Sequence, residues 1–223
     1  MRYINANGDV DDKNILKLYD YFYHKEHLFI VTEVLKENLY EFYKYVSEKN
    51  NLESYFNNYK RLQSIAKEVL IGLEYLHSLK VIHCDLKPEN ILIKSISKTK
   101  IKIIDFGSSC FIHDHLSSYM QSRSYRAPEV ILGLTYDYKI DIWSLGCIMS
   151  ELFTGNVLFQ NDSIQSYLAK ILGICGPFPE YIFTKGKNSN EYFTKEKLIY
   201  MEIADSNDQS NLEQSNGNLI LKY

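Results

Sequence analysis

The 223-residue sequence predicts an α+β fold in which a short piece of antiparallel sheet leads into a larger, mostly helical body interrupted by one small β-hairpin. Three observations predict it. Residues 15–22 and 27–35 are alternating or β-branched runs joined by the polar Tyr23-His-Lys-Glu26, the pattern of an antiparallel hairpin. Across residues 59–79, Leu62, Ile65, Ala66, Val69, Leu73 and Leu76 return at steps of three and four, so a helix there turns one stripe to a core. Residues 140–154 are apolar nearly all round and stop at Gly155, as a buried helix with a glycine cap does.

The other elements fall between these. Asn38 is placed to cap a short helix whose Leu39, Phe42, Tyr43 and Val46 share a face. Ile91-Leu-Ile93 and Ile101-Lys-Ile-Ile104, separated by a polar turn, predict the small hairpin. Residues 163–172 predict a further helix, closed by Gly173 and by Gly176-Pro177. Residues 204–218 are polar almost throughout and predict a mobile loop.

Composition narrows the function. With 45% hydrophobic residues the chain can bury a sizeable core, and its formal charge of −3 gives no long-range pull toward nucleic acid or anionic lipid. Cys84, Cys110, Cys147 and Cys175 form no C-x-x-C pair, so a reducing compartment is expected and a zinc or disulfide framework is not. The N-terminus lacks an apolar signal segment, and the longest apolar run contains Asp141 and Glu151, too short and too polar to cross a bilayer. An intracellular protein, cytoplasmic or nuclear, that binds neither nucleic acid nor membrane is the expectation.

The chemistry concentrates in His83-Cys-Asp-Leu-Lys-Pro-Glu-Asn90, between a helix and a strand. Phosphoryl transfer requires a carboxylate near the attacking hydroxyl, a cation near the transferred group and oxygen ligands for a metal. Asp85, Lys87 and Asn90 supply one of each. A lone Asp-x-Lys would be an ordinary solvated loop; the whole eight-residue string is not. Asp105-Phe-Gly107 follows a strand, and Ala127-Pro-Glu129 and Asp141-Ile-Trp-Ser-Leu-Gly146 come next in order. Each is weak singly. The order is decisive.

These segments resemble the catalytic-loop, metal-binding, activation-segment and F-helix motifs of eukaryotic protein kinases. Within them the sequence is most similar to the dual-specificity tyrosine-regulated (DYRK) family, plant- and protist-like members in particular. The residues that carry the likeness are His83-Cys-Asp-Leu-Lys-Pro-Glu-Asn-Ile-Leu92, Asp105-Phe-Gly-Ser-Ser-Cys110 and Tyr119-Met-Gln-Ser-Arg-Ser-Tyr-Arg-Ala-Pro-Glu-Val-Ile-Leu-Gly133. The resemblance covers residues 12–203. It implies a protein-kinase-like fold: residues 1–35 a remnant of the β-rich small lobe with the hinge, 36–203 the helical large lobe, and 204–223 a polar tail. It also implies transfer of the γ-phosphoryl group of ATP to Ser or Thr of protein substrates. Asp85 would be the base, Lys87 would steady the γ-phosphoryl group, and Asn90 and Asp105 would hold Mg2+. Glu33 and Leu35 would offer backbone hydrogen bonds to adenine, Leu92 would floor the pocket, and Thr32 would border its rear. Asp141 would brace the catalytic loop, with Trp143, Cys147 and Met149 in the core.

The departures are as informative. Cys84 stands where most kinases carry the arginine that binds the activation-loop phosphate, so that phosphate must be read elsewhere. The chain has four arginines, Arg2, Arg61, Arg123 and Arg126, and the last two follow Tyr119, the residue that the resemblance marks for autophosphorylation. They are the expected readers of its phosphate, while Ser117 replaces the first tyrosine of the family's pair. No glycine-rich loop, strand lysine or helix glutamate can be placed before Ile15, and no arginine follows Arg126 to pair with Glu129. The chain therefore reads as a piece of a longer kinase. The rival reading is a kinase-like lobe that binds partners without transferring phosphate.

Overall fold

The computed structural model describes residues 1–49, 55–56, 58–114, 120–160, 163–201, 214–215 and 218–220. Ser117, Tyr119 and most of the polar stretch after residue 201 lie outside them. The chain opens on α1 (Arg2–Ala6), which buries Ile4 and receives a hydrogen bond from the Tyr75 hydroxyl to the Ile4 carbonyl at 2.6 Å. Five residues give no usable period, so the sequence pattern does not signal this helix. The predicted hairpin follows as β1 (Leu18–His24) and β2 (His27–Thr32), with Tyr21 opposite Ile30 and Phe22 opposite Phe29. Lys25 and Glu26 both take positive φ, as a two-residue turn matched to strand twist requires. β2 ends at Thr32, short of residue 35: Glu33 N still donates to Lys17 O at 3.1 Å, but Lys36 N donates instead to Ile93 O at 2.9 Å. The aromatic pair Phe22 and Phe29 stacks with centroids 5.1 Å apart while each ring stays exposed.

α2 (Leu39–Glu48) begins where the sequence predicts, with Asn38 Oδ1 accepting from Glu41 N at 2.8 Å, a capping contact of about 1 kcal/mol. α3 (Tyr59–Ser78) buries Leu62, Ile65, Val69, Leu73 and Leu76. It lies so close to the sheet at Gly72 that an added Cβ would come within 2.7 Å of Ile103 Cδ1. Next come β3 (Val81–Ile82), β4 (Ile91–Ser95), β5 (Lys100–Ile103) and β6 (Cys110–Phe111). β3 pairs with β6 and β4 with β5, both antiparallel. These two small ladders frame residues 83–90 on one side and Asp105 on the other.

The helical part continues with α4 (Pro128–Ile131), α5 (Lys139–Thr154), α6 (Ile164–Cys175), α7 (Glu180–Lys185) and α8 (Ser189–Tyr192). Gly155 caps α5 at φ +79°, as predicted. α6 starts on a reciprocal Ser163–Ser166 capping box but runs through Gly173 and ends at Gly176. The first glycine is therefore helical. A glycine inside a helix costs only about 1 kcal/mol, whereas Pro177 bars its predecessor from helical geometry. β7 (Tyr200–Met201), β8 (Gln214–Ser215) and β9 (Asn218–Ile220) form an antiparallel sheet in the order β7-β9-β8. The last two strands fall at the end of the stretch whose composition predicts a loop. A second, smaller core gathers Ile82, Cys84, Ala127, Val130, Tyr136 and Ile140. Among the described residues no helix is long and apolar enough to cross a membrane.

Candidate active site

The loop after β3 is held from below by Asp141 near the start of α5. Its fully buried carboxylate accepts from His83 N at 2.9 Å, Cys84 N at 3.0 Å and His77 Nε2 at 2.9 Å. A buried carboxylate is tolerated when its oxygens are this well served. Presenting two successive amides to one carboxylate places Cys84 at φ +65°, a region that non-glycine residues seldom adopt. The bracing role expected of Asp141 is what these contacts perform. His83 Nε2 lies 2.9 Å from the Ile104 carbonyl and must donate to it, which leaves Nδ1 to accept from Asp85 N at 3.3 Å. The imidazole also meets Phe106 edge-on at 5.4 Å. One side chain thus connects the loop to the segment bearing Asp105.

Asp85 is the centre of the site. Lys87 Nζ donates to its Oδ2 at 2.8 Å. Ser122 donates to Oδ1 twice, from Oγ at 2.7 Å and from N at 3.0 Å. Lys87 Nζ also reaches Ser122 Oγ at 3.2 Å. Burial by itself raises the Asp85 carboxyl, but the hydrogen bonds from Lys87 and Ser122 and the lysine's charge outweigh it and hold the group below the usual carboxylate range. The same pairing raises Lys87. At neutral pH the two are an ion pair, and Asp85 is an acceptor.

Asn90 closes a 3-10 turn (Pro88–Asn90) and is buried. Its amide nitrogen donates to the Asp85 carbonyl at 2.8 Å, leaving the amide oxygen as the ligand the side chain can still offer. Its carbonyl accepts from Ile104 N at 3.0 Å, which brings the strand ahead of Asp105 alongside. Asp105 has φ +58°, is exposed, and accepts from Gly107 N at 3.2 Å. One carboxylate and one amide oxygen fit a hard cation completed by phosphate oxygens, as Mg2+ prefers, better than an all-protein cage. Among the described residues no group of three or more His, Cys, Asp or Glu side chains is gathered to hold a metal.

On the other side of β4 and β5 the chain crosses from β2 to α2. Glu33 N donates to Lys17 O at 3.1 Å, and Ile93 N donates to Glu37 O at 3.0 Å. Between these ties, Leu35 is half-buried and its peptide groups make no hydrogen bond among the described residues. Backbone groups left unpaired can serve a ligand. Thr32 Oγ1 donates to Glu33 O at 3.2 Å. Leu92, half-buried on β4, faces away from the buried Ile91 and Ile93.

The family described as the protein kinase domain matches residues 1–206. The chain belongs to the protein kinase family. It is 44% identical over 193 residues to the dual specificity protein kinase YAK1 homolog of Arabidopsis thaliana, covering 85% of this chain and 20% of that protein. To the serine/threonine-protein kinase ppk15 of Schizosaccharomyces pombe it is 43% identical over 191 residues, covering 85% and 35%. To the dual specificity protein kinase YAK1 of Saccharomyces cerevisiae it is 42% identical over 193 residues, covering 86% and 23%. The chain therefore spans about a fifth to a third of the length of these relatives. Protein kinases as a family use ATP and a divalent metal.

Three features of this kinase domain escape a reading of the sequence. Ser122 sits inside a segment recognised by its pattern, yet nothing in that pattern says it binds Asp85. Lys102 lies in an apolar run and is wholly buried, with no local signal of its partners. Arg126 donates to two carbonyls of the segment just after Tyr119, Met120 O at 2.7 Å and Gln121 O at 2.8 Å, so its guanidinium also braces backbone. Arg123 lies in a 3-10 turn (Arg123–Tyr125) next to it. Tyr119 itself is outside the described residues.

Proposed function

We propose that this kinase domain transfers the γ-phosphoryl group of Mg·ATP to Ser or Thr hydroxyls of protein substrates, with autophosphorylation at Tyr119. The observation that carries the reading is Asp85 held ionised between Lys87 and Ser122, with Asn90 fastened behind it. Asp85 orients the substrate hydroxyl and takes its proton as the oxygen attacks the γ-phosphorus and the bond to the β-phosphate oxygen breaks. Lys87 offsets charge on the transferred group. Asn90 and Asp105 would hold Mg2+, which supplies charge neutralisation on the phosphates. Catalysis of this kind rests on positioning and electrostatics, and a fixed acceptor beside a fixed cation provides both. Adenine would meet the backbone of Glu33 and Leu35, with Leu92 beneath and Thr32 behind. Residues 1–35 would be a remnant of the small lobe with the hinge, 36–203 the large lobe, and 204–223 a polar tail. A phosphate on Tyr119 would add about −1.5 to −2 charge, and Arg123 and Arg126 are its proposed readers.

The test is incorporation of radiolabelled phosphate from ATP into a generic protein substrate by the full-length protein, compared with Asp85→Asn. Turnover should fall at least ~10²-fold in the variant, the scale of a lost positioned base, with ATP affinity nearly unchanged. Equal turnover would remove Asp85 from the role, and no incorporation by the wild type would favour a binding module.

A further inference from the structure

Lys102 lies on β5, three residues before Asp105, and its side chain meets Glu33. Its side chain is wholly buried, which an ammonium tolerates only when paired. It donates to Asp11 Oδ1 at 2.7 Å and to the Glu33 carboxylate. Glu33 Oε1 accepts in addition from Lys17 N at 2.8 Å. Asp11 is shared with Lys17 at 3.1 Å and Lys94 at 2.9 Å, and the hydrogen bonds from these three lysines hold its carboxyl far below the usual range. The backbone is fastened in the same place: Ile103 N donates to Asn14 O at 2.8 Å and Leu16 N to Ile103 O at 3.0 Å.

These contacts have one mechanical effect. The far end of the segment is tied to β4 through Lys36 N and Glu37 O, and its near end is tied to β5 through the Glu33 side chain. Only Val34 and Leu35 lie between, and Val34 is 97% exposed. The direction of the free Leu35 peptide groups is therefore set by where Lys102 holds Glu33. Lys102 lies on β5, which ends two residues before Asp105, so the same anchor also relates the Glu33–Leu35 segment to Asp105. An apolar pair would fill the interior with less desolvation but would set no such geometry.

We propose that Lys102 is a positioning residue for adenine recognition, acting through the Glu33 carboxylate. The proposal rests on the reading that residues 33–35 receive adenine. It is tested in the full-length protein with Lys102→Met, Glu33→Gln and the double variant. Mg·ATP affinity is measured by calorimetry, and hydrogen exchange is followed in peptides covering residues 33–36. Each single change should weaken Mg·ATP at least about fivefold and speed exchange at 33–36, and the double variant should be no worse than the worse single, because both remove one interaction. Glu33→Gln leaves Lys102 paired with Asp11 and carries the test alone if Lys102→Met fails to fold. A merely structural pair would lower the melting temperature while leaving affinity and hinge exchange untouched in the folded variants, and that result overturns the proposal. Additive effects in the double variant overturn it as well. Wild-type protein that binds no Mg·ATP, with hinge exchange still accelerated in the variants, would overturn the adenine reading and the proposal with it.

Discussion

Ser122 closes on Asp85 from a separate segment, its hydroxyl and its own amide both donating to Oδ1 at 2.7 and 3.0 Å. The carboxylate is thereby pinned on one oxygen by serine and on the other by Lys87, and its direction is fixed.

Removing the hydroxyl tests that pinning. Ser122→Ala should lower kcat by roughly tenfold, the effect of losing orientation of a positioned base, while KM for ATP stays unchanged. Ser122→Thr should restore most of it. Because Ser122 favours the ionised form, the acid limb of the pH–rate profile should move to higher pH in the alanine variant. A kcat within twofold of wild type would make the contact idle.

The proposed metal ligands separate from the fold more cleanly. Asp105 is exposed and its hydrogen bond within the described residues comes from Gly107 N, which an amide oxygen can equally accept. Asp105→Asn should therefore leave the denaturant midpoint unchanged, since exposed substitutions shift stability by about 0.5 kcal/mol or less. Mg2+-dependent nucleotide affinity should fall at least about tenfold, as for a lost charged ligand. Unaltered Mg2+ dependence would move the metal site elsewhere.

Thr32 offers a steric test of the proposed nucleotide pocket. Its hydroxyl is turned onto Glu33 O at 3.2 Å, and a threonine leaves more room than an aromatic ring. Thr32→Phe should lose inhibitors that carry a bulky rear group by at least about tenfold, while ATP binding changes by about threefold or less, because exclusion here acts through shape. Equal inhibition of both proteins would show that residues 32–35 do not line the pocket.

What the sequence discloses and what it hides divides by range. The stripe of α3, the Asn38 cap and the Gly155 stop are local, and each is legible because period and cap chemistry act within a few residues. The string from His83 to Asn90 is equally local, so Asp85, Lys87 and Asn90 could be brought together on paper. Ser122 reaches Asp85 across 37 positions, and Lys102 reaches Glu33 across 69 and Asp11 across 91. No periodicity signals such meetings. The burial of Ile101, Lys102 and Ile103 in succession defeats the alternation that would otherwise mark a lysine as outward-facing. The positive φ of Cys84 is likewise invisible in a residue that favours it little.

Glu129 carries the last prediction. Burial raises its carboxyl above the ordinary value, Asp137 adds to the shift, and its own backbone amide and Lys139 oppose it. A carboxyl raised in the folded state binds its proton more tightly there than in the unfolded chain. Its contribution to stability is then full below the unfolded value, falls as pH rises through the folded value, and is absent at neutral pH. Glu129→Gln removes the charge and keeps the shape. In the 223-residue chain the urea midpoint of the variant should exceed that of the wild type at about pH 7.5, by roughly 0.5 M on ordinary denaturant slopes, and coincide with it near pH 4. A variant less stable than wild type at neutral pH would mean that a cation pairs with the ionised Glu129 and that the charge is held, not merely endured.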